Sequence, residues 1–159
     1  GCNAVILGAG GAPRAVLWGL CKRRANSVTI GARNLQRAQK FADDFKIYGD
    51  VHAVDWTTED FKAAMRRADI LINTTPLGMF PKIDDMPPVD LTLLPDGALV
   101  HDLVYNPIKT KLLLTAEELG HPILPGLPML LYQGREAYRL FTGELPDLEV
   151  MKKIVTELE

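Results

Sequence analysis

The run Ala4–Leu7, followed without a break by Gly8-Ala9-Gly10-Gly11-Ala12-Pro13-Arg14, constrains this chain more than any other stretch. A short, continuously apolar run reads as a strand buried on both faces. Pro13 opens a helical pattern, because the first helical position has no intrahelical use for an N–H. Between them, Gly8 permits a tight turn, and Gly10 removes the Cβ where a ligand would approach the backbone. The helix start directs free N–H groups and its dipole at an anion, so a phosphate group is expected on Gly8, Ala9, Gly10, Gly11 and Ala12. A lone glycine motif says little, but here a strand precedes it, a helix follows, and a second strand comes about 20 residues on. The third small position of the motif falls on Pro13, which predicts slightly looser helix–sheet packing and no loss of binding.

Short apolar runs alternate with helix-period segments along the whole chain, the pattern of a parallel sheet wrapped by helices. Strands are expected at 4–7, 27–31, 51–54, 69–73, 98–103 and 122–124, and helices at 13–24, 35–46, 58–67, 109–119, 127–141 and 147–158. This predicts a three-layer, doubly wound α/β Rossmann fold, its mostly parallel six-stranded sheet in the order 3-2-1-4-5-6. The segments after residues 7, 31, 73 and 103 would then share one rim, with the ligand crevice at the carboxyl ends of strands 1 and 4. Pro81 to Pro88 is the one stretch expected to be a flexible loop. At 159 residues, 47% hydrophobic and 24% charged, the chain suits one ordinary globular domain and not a disordered segment.

Charge is distributed unevenly. Residues 1–42 hold Arg14, Lys22, Arg23, Arg24, Arg33, Arg37 and Lys40 but no acid, so all 20 carboxylates come later. The opening βαβ unit should attract a polyanion. Nucleic acid fits poorly, since the rest of the chain is net acidic, and a small phosphorylated ligand fits better. An NAD site usually places an acid at the end of the second strand to bond the ribose hydroxyls. Here Ser27–Gly31 is followed by Ala32-Arg33-Asn34, with Arg37 close behind. Two guanidiniums at that spacing can clamp a 2′-phosphate and stack on adenine, which favours NADP(H) over NAD; a pair of solvated surface arginines is the alternative.

The motifs together resemble the shikimate dehydrogenase family. Gly8–Ala12 is similar to its glycine loop, and Ala32–Arg37 to its N-R-T-x-x-R/K phosphate motif, with Ala32 for Asn and Asn34 for Thr. Asn73-Thr74-Thr75-Pro76-Leu77-Gly78-Met79 resembles N-A/T-T-S/P-x-G-M, and Asp102 to Pro107 with Thr110 resembles D-x-V-Y-x-P-x-x-T. Gly126 to Gln133 resembles G-x-x-M-L-x-x-Q, and Phe141-Thr142-Gly143 its aromatic-T-G ending. The resemblance implies reversible, NADPH-dependent reduction of 3-dehydroshikimate to shikimate in aromatic amino-acid biosynthesis, and a cytoplasmic enzyme. It implies that Leu103 and Gly126 line the nicotinamide site through their backbones and that Met129 packs near the ring. Tyr105 and Gln133 would reach the substrate. With Thr74, Asn73 and Thr75 are candidate cofactor contacts, either bonding ribose or capping their own loop. Periodicity adds to Gln133: with Met129 and Ala137 it shares one helix stripe, and a Gln on an apolar stripe needs a partner.

The same family carries its catalytic Lys–Asp pair in an N-terminal substrate domain, the Lys in an N-V-T-x-P-x-K motif. No such segment occurs here, so residues 1–159 are expected to form the NADP-binding domain alone, with no catalytic residue. Asp102 belongs to the strand motif and is not that Asp. His52, His101, His121, Cys2 and Cys21 show no metal or nucleophile spacing. No apolar run nears the roughly 20 residues needed to span a bilayer. Nothing in the sequence fixes an oligomeric state. A quinate/shikimate dehydrogenase paralogue and a non-catalytic NADP-sensing module are the alternative readings.

Overall fold

Alternation along the first strand decides where the helices pack. The computed structural model describes residues 1–156. In β1 (Asn3–Leu7), Ala4 and Ile6 face one side of the sheet and Val5 and Leu7 the other, all four buried. With β2 (Ser27–Ala32), β3 (Val51–Asp55), β4 (Ile70–Asn73), β5 (Leu99–Asp102) and β6 (Ile123–Leu124), it forms one sheet in the order β3-β2-β1-β4-β5-β6. Every neighbouring pair is parallel. The order expected from the alternating pattern is therefore the one observed.

Helices α1 (Pro13–Lys22) and α2 (Leu35–Phe45) bury Leu17, Ala38, Phe41, Ala42 and Phe45 against Ala4, Ile6, Val28 and Ile30. Helices α3 (Glu59–Met65) and α4 (Lys111–Glu118) bury Phe61, Met65, Leu112 and Leu113 against Val5, Leu7, Leu71 and Val100 on the opposite face. Each fully buried side chain of this size contributes about 2 kcal/mol of hydrophobic stabilisation, which is why both faces of the strands must be apolar. The chain continues into α5 (Leu127–Thr142), whose only buried residue is Leu131, and α6 (Leu148–Thr156). Positions 157 and 158 of the helix expected over 147–158 lie outside the described residues.

Several boundaries differ from expectation for a physical reason. Thr58 and Thr110 were expected inside helices, but each stands outside as a cap in extended backbone. Their hydroxyls accept from Phe61 N and Leu113 N, which a helical backbone at the cap would not allow. Leu103 falls beyond β5, though its N–H still donates to Asn73 O at 3.0 Å. Nor does Pro13 loosen α1: it is buried itself, above a Leu17 with no exposed surface. The segment expected to be a flexible loop is a turn structure tied in place. Lys82 N–H bonds Met79 O, Asp85 N–H bonds Lys82 O, Lys111 Nζ donates to Asp84 O, and Pro87 is buried.

Register sets the rim. Leu7 pairs with Gly31 and with Asn73, and Asn73 pairs with Asp102, so four strand ends are level. The strand order reverses between β1 and β4, which leaves a crevice between the segments that follow them.

Candidate cofactor site

A cleft of about 320 Å³ opens at that reversal. Its floor is the glycine turn. Gly8 has φ +105°, where any side chain is strained, and a Cβ there would meet Thr75 Cγ2 at 3.0 Å and Thr74 Oγ1 at 3.1 Å. Gly10 and Gly11 instead face open space, with nothing within 4 Å of a would-be Cβ. Among the described residues, the N–H groups of Gly10, Gly11 and Ala12 donate to no protein acceptor. No side chain caps α1 at Ala12. Unserved N–H groups at a helix start, beside Cβ-free backbone, form a cradle suited to a phosphate.

The far wall carries the charge. Of the seven basic residues in the opening unit, Arg14 is already engaged, paired with Asp44 and lying over the Phe41 and Phe45 rings at 5.6 and 5.7 Å. Lys22 lies over the Trp18 ring at 5.1 Å. Arg33 and Arg37 line the cleft and have no acidic partner among the described residues. Asn34 lines the same cleft and caps α2, its Oδ1 accepting from Arg37 N at 2.9 Å and fixing the turn that presents Arg37. The acid in register with Ala32 is Asp55. Its Oδ1 accepts from Thr57 N–H at 2.8 Å and Thr57 Oγ1 at 2.7 Å, which hold its carboxyl below the ordinary value.

One residue lining the cleft escaped the sequence reading, and a second was read only as part of the basic cluster. Trp56, only 7% exposed, walls the cleft beside Ala32 and Arg33; extending the rim logic to the third strand would have found it. Lys40 joins Arg14 and Arg37 around an adjoining recess of about 210 Å³, and its place three residues after Arg37 on one helix face was the available signal.

The loop Thr74–Leu77 walls the cleft opposite the arginines, and Thr74 Oγ1 donates to Leu7 O at 2.6 Å. Asn73 is buried, its Oδ1 accepting from the N–H and hydroxyl of Thr75 at 3.0 and 2.7 Å. Its Nδ2 donates to Asp102 Oδ1 at 3.0 Å. Burial raises the Asp102 carboxyl above its ordinary value, while Thr110, Val104 and Asn73 donate to it and pull the other way. Gly126 begins α5 so close to the end of β5 that a Cβ would stand 2.5 Å from Leu103 O and 2.6 Å from Val104 O. The structure thus brings Leu103 and Gly126 into contact. Tyr105, 44% exposed, lines a separate recess of about 620 Å³ with Pro107, Leu127 and Leu130. Met129 is half-buried. Gln133 and Ala137, in line with Met129 on α5, are exposed. His52 pairs with Asp50, His101 Nδ1 lies 2.7 Å from Leu124 O, and His121 is buried; none lines the cleft.

A six-stranded parallel sheet wound in this order, with a glycine turn at its reversal, defines a Rossmann domain of the dinucleotide-binding class. Residues 1–77 match the family model described as shikimate / quinate 5-dehydrogenase, and residues 126–156 the model for the shikimate 5′-dehydrogenase C-terminal domain. The chain belongs to the shikimate dehydrogenase family. It is 43% identical over 152 residues to the shikimate dehydrogenase (NADP(+)) of Methanothermobacter thermautotrophicus, a match covering 96% of this chain and 54% of that protein. The shikimate 5-dehydrogenase of Thermus thermophilus in complex with NADP(H) and shikimate superposes with TM-score 0.80 at 36% identity, over 96% of this chain and 53% of that one. The quinate dehydrogenase of Corynebacterium glutamicum in complex with NAD gives TM-score 0.86 at 32% identity, over 97% and 54%. The chain therefore spans about half the length of the relatives it matches.

Proposed function

We propose that this chain is the cofactor-binding half of a cytoplasmic, NADP-dependent shikimate dehydrogenase, which interconverts 3-dehydroshikimate and shikimate in aromatic amino-acid biosynthesis. The observation that carries the reading is the pair Arg33 and Arg37, which have no acidic partner among the described residues and line the same cleft as the glycine turn, whose Gly10, Gly11 and Ala12 N–H groups donate to no acceptor among those residues. That donor set fits NADP(H): a pyrophosphate needs backbone N–H groups without a Cβ in the way, and a 2′-phosphate needs a bidentate cation.

When bound, NADPH supplies the hydride. The chain's own residues bind and orient. Gly10, Gly11 and Ala12 hold the pyrophosphate, Arg33 and Arg37 the 2′-phosphate, and Trp56 keeps water from the adenosine end. Leu103 and Gly126 offer backbone groups to the nicotinamide end, beside Met129, while Tyr105 and Gln133 reach the substrate's hydroxyl or carboxylate groups. Proton transfer to the carbonyl oxygen is assigned to no residue of this chain. The Lys–Asp pair that does it would come from an N-terminal domain making up the remaining half of a protein of the relatives' length.

Two measurements test the proposal. Titrating NADP+ into the chain should quench Trp56 emission saturably, and Trp56→Phe should abolish the change while leaving the signal of Trp18. No turnover of shikimate with NADP+ is expected from residues 1–159, and measurable turnover would contradict a division of labour between two halves. A quinate-using enzyme is the second reading, supported by the quinate dehydrogenase likeness. Comparing shikimate with quinate, and NADPH with NADH, on the full-length protein decides it.

A further inference from the structure

One charged group lies beneath the rim without lining the cleft. Asp102 closes β5 with none of its surface exposed. Its Oδ1 accepts from Asn73 Nδ2 at 3.0 Å and Val104 N at 2.9 Å, and its Oδ2 from Thr110 Oγ1 at 2.7 Å. Asn73, equally buried, passes the chain on: Thr75 donates to it, and the Thr75 hydroxyl accepts from Leu77 N at 3.3 Å. One unbroken hydrogen-bonded path thus links the start of α4, the end of β5, the end of β4, and the Thr74–Leu77 loop that walls the cleft.

A buried carboxylate is costly unless its oxygens are served, and an apolar pair of similar volume would hold β4 and β5 together as well. Hydrogen bonds add direction. The two segments they orient are Thr74–Leu77, packed on Gly8 at the glycine turn, and Leu103–Tyr105, whose backbone meets Gly126.

We propose that Asp102 is a positioning residue that sets the Leu103–Tyr105 segment against the Thr74–Leu77 loop, so that both halves of a bound dinucleotide meet their backbone partners together. The inference rests on the cleft being an NADP(H) site. Asp102 itself touches no ligand and acts through Val104 N–H and the Asn73 carboxamide.

The test is an amide chemical-shift titration of the whole chain with NADP+ and with 2′,5′-ADP, which lacks the nicotinamide half. In the wild type, NADP+ should move the amides of Gly10–Ala12, Arg33–Arg37 and Leu103–Tyr105. In Asp102→Ala the first two groups should still move and the third should not. Its dissociation constant for NADP+ should rise about tenfold, while that for 2′,5′-ADP stays within about twofold. Asp102→Asn should restore the wild-type pattern, because its oxygen still serves Asn73 and Val104 and the Thr110 hydroxyl can turn to accept from its amide. Thr110→Val strips Oδ2 of its donor and should give a weaker form of the Asp102→Ala pattern; it carries the test if Asp102→Ala does not fold. Equal loss of both ligands in Asp102→Ala, or failure of Asp102→Asn to restore, would overturn the inference while leaving the cleft reading intact. A wild-type chain whose Gly10–Ala12 amides ignore NADP+ would remove the cleft reading and the inference with it.

Discussion

Replacing Arg33 and Arg37 together by alanine should weaken NADP+ binding about 100-fold while leaving NAD+ binding within about twofold. Each guanidinium lines the cleft without an acidic partner among the described residues, so neither must break an ion pair with them to meet a phosphate. Charge-assisted bonds to a phosphate are about twice as strong as neutral ones, and each contributes about 1.5–3 kcal/mol. Both side chains are exposed, which places the expected loss toward the lower end for two such bonds and makes it shrink as salt rises. Calorimetric titration of both cofactors against both proteins reads the difference. Equal loss of NADP+ and NAD+ affinity would mean the arginines act on fold or pyrophosphate and do not select the 2′-phosphate. Arg14→Ala is the contrasting variant: with Asp44 and two aromatic rings already holding that guanidinium, its removal should act mainly through stability.

The second large effect is expected at Gly126. A methyl group added there meets Leu103 O and Val104 O at 2.5 and 2.6 Å, and both obstacles are backbone, which cannot rotate aside. Gly126→Ala should therefore push α5 away from the end of β5 and cost about 2–3 kcal/mol of stability, in the range of overpacked cores. Urea unfolding of the variant measures it. An unchanged midpoint would show that this approach is not a tight constraint. Gly10→Ala offers the comparison: with nothing within 4 Å of its Cβ, it should fold normally and lose affinity for a dinucleotide instead.

What could be read from the sequence was local. The strand, glycine turn and helix of residues 4–22 are contiguous, and the parallel order followed from the alternation of apolar runs with helical periods. The absence of an acid after Gly31 was visible in the same way. What escaped depended on pairs distant in sequence. Arg14 and Asp44 are 30 residues apart, so the sequence could not say which of the basic residues in the first unit was already neutralised. Asn73 and Asp102 are 29 apart, and only their juxtaposition on adjacent strands shows that Asn73 is satisfied by protein. For Gln133, helical spacing showed its line with Met129 and Ala137 but not what covers that line, and here Gln133 and Ala137 are exposed. Thr58 and Thr110 stand as caps and not inside helices, because a hydroxyl can serve a helix start only from outside it.

The proposed role of this chain depends on where the pyrophosphate and the 2′-phosphate of the dinucleotide sit. A crystal structure of the chain with NADP+ measures that directly. The pyrophosphate is expected within hydrogen-bond reach of the N–H groups of Gly10, Gly11 and Ala12, and the 2′-phosphate between the guanidiniums of Arg33 and Arg37. A pyrophosphate bound away from the glycine turn, or arginines turned from the adenosine end, would contradict the assignment.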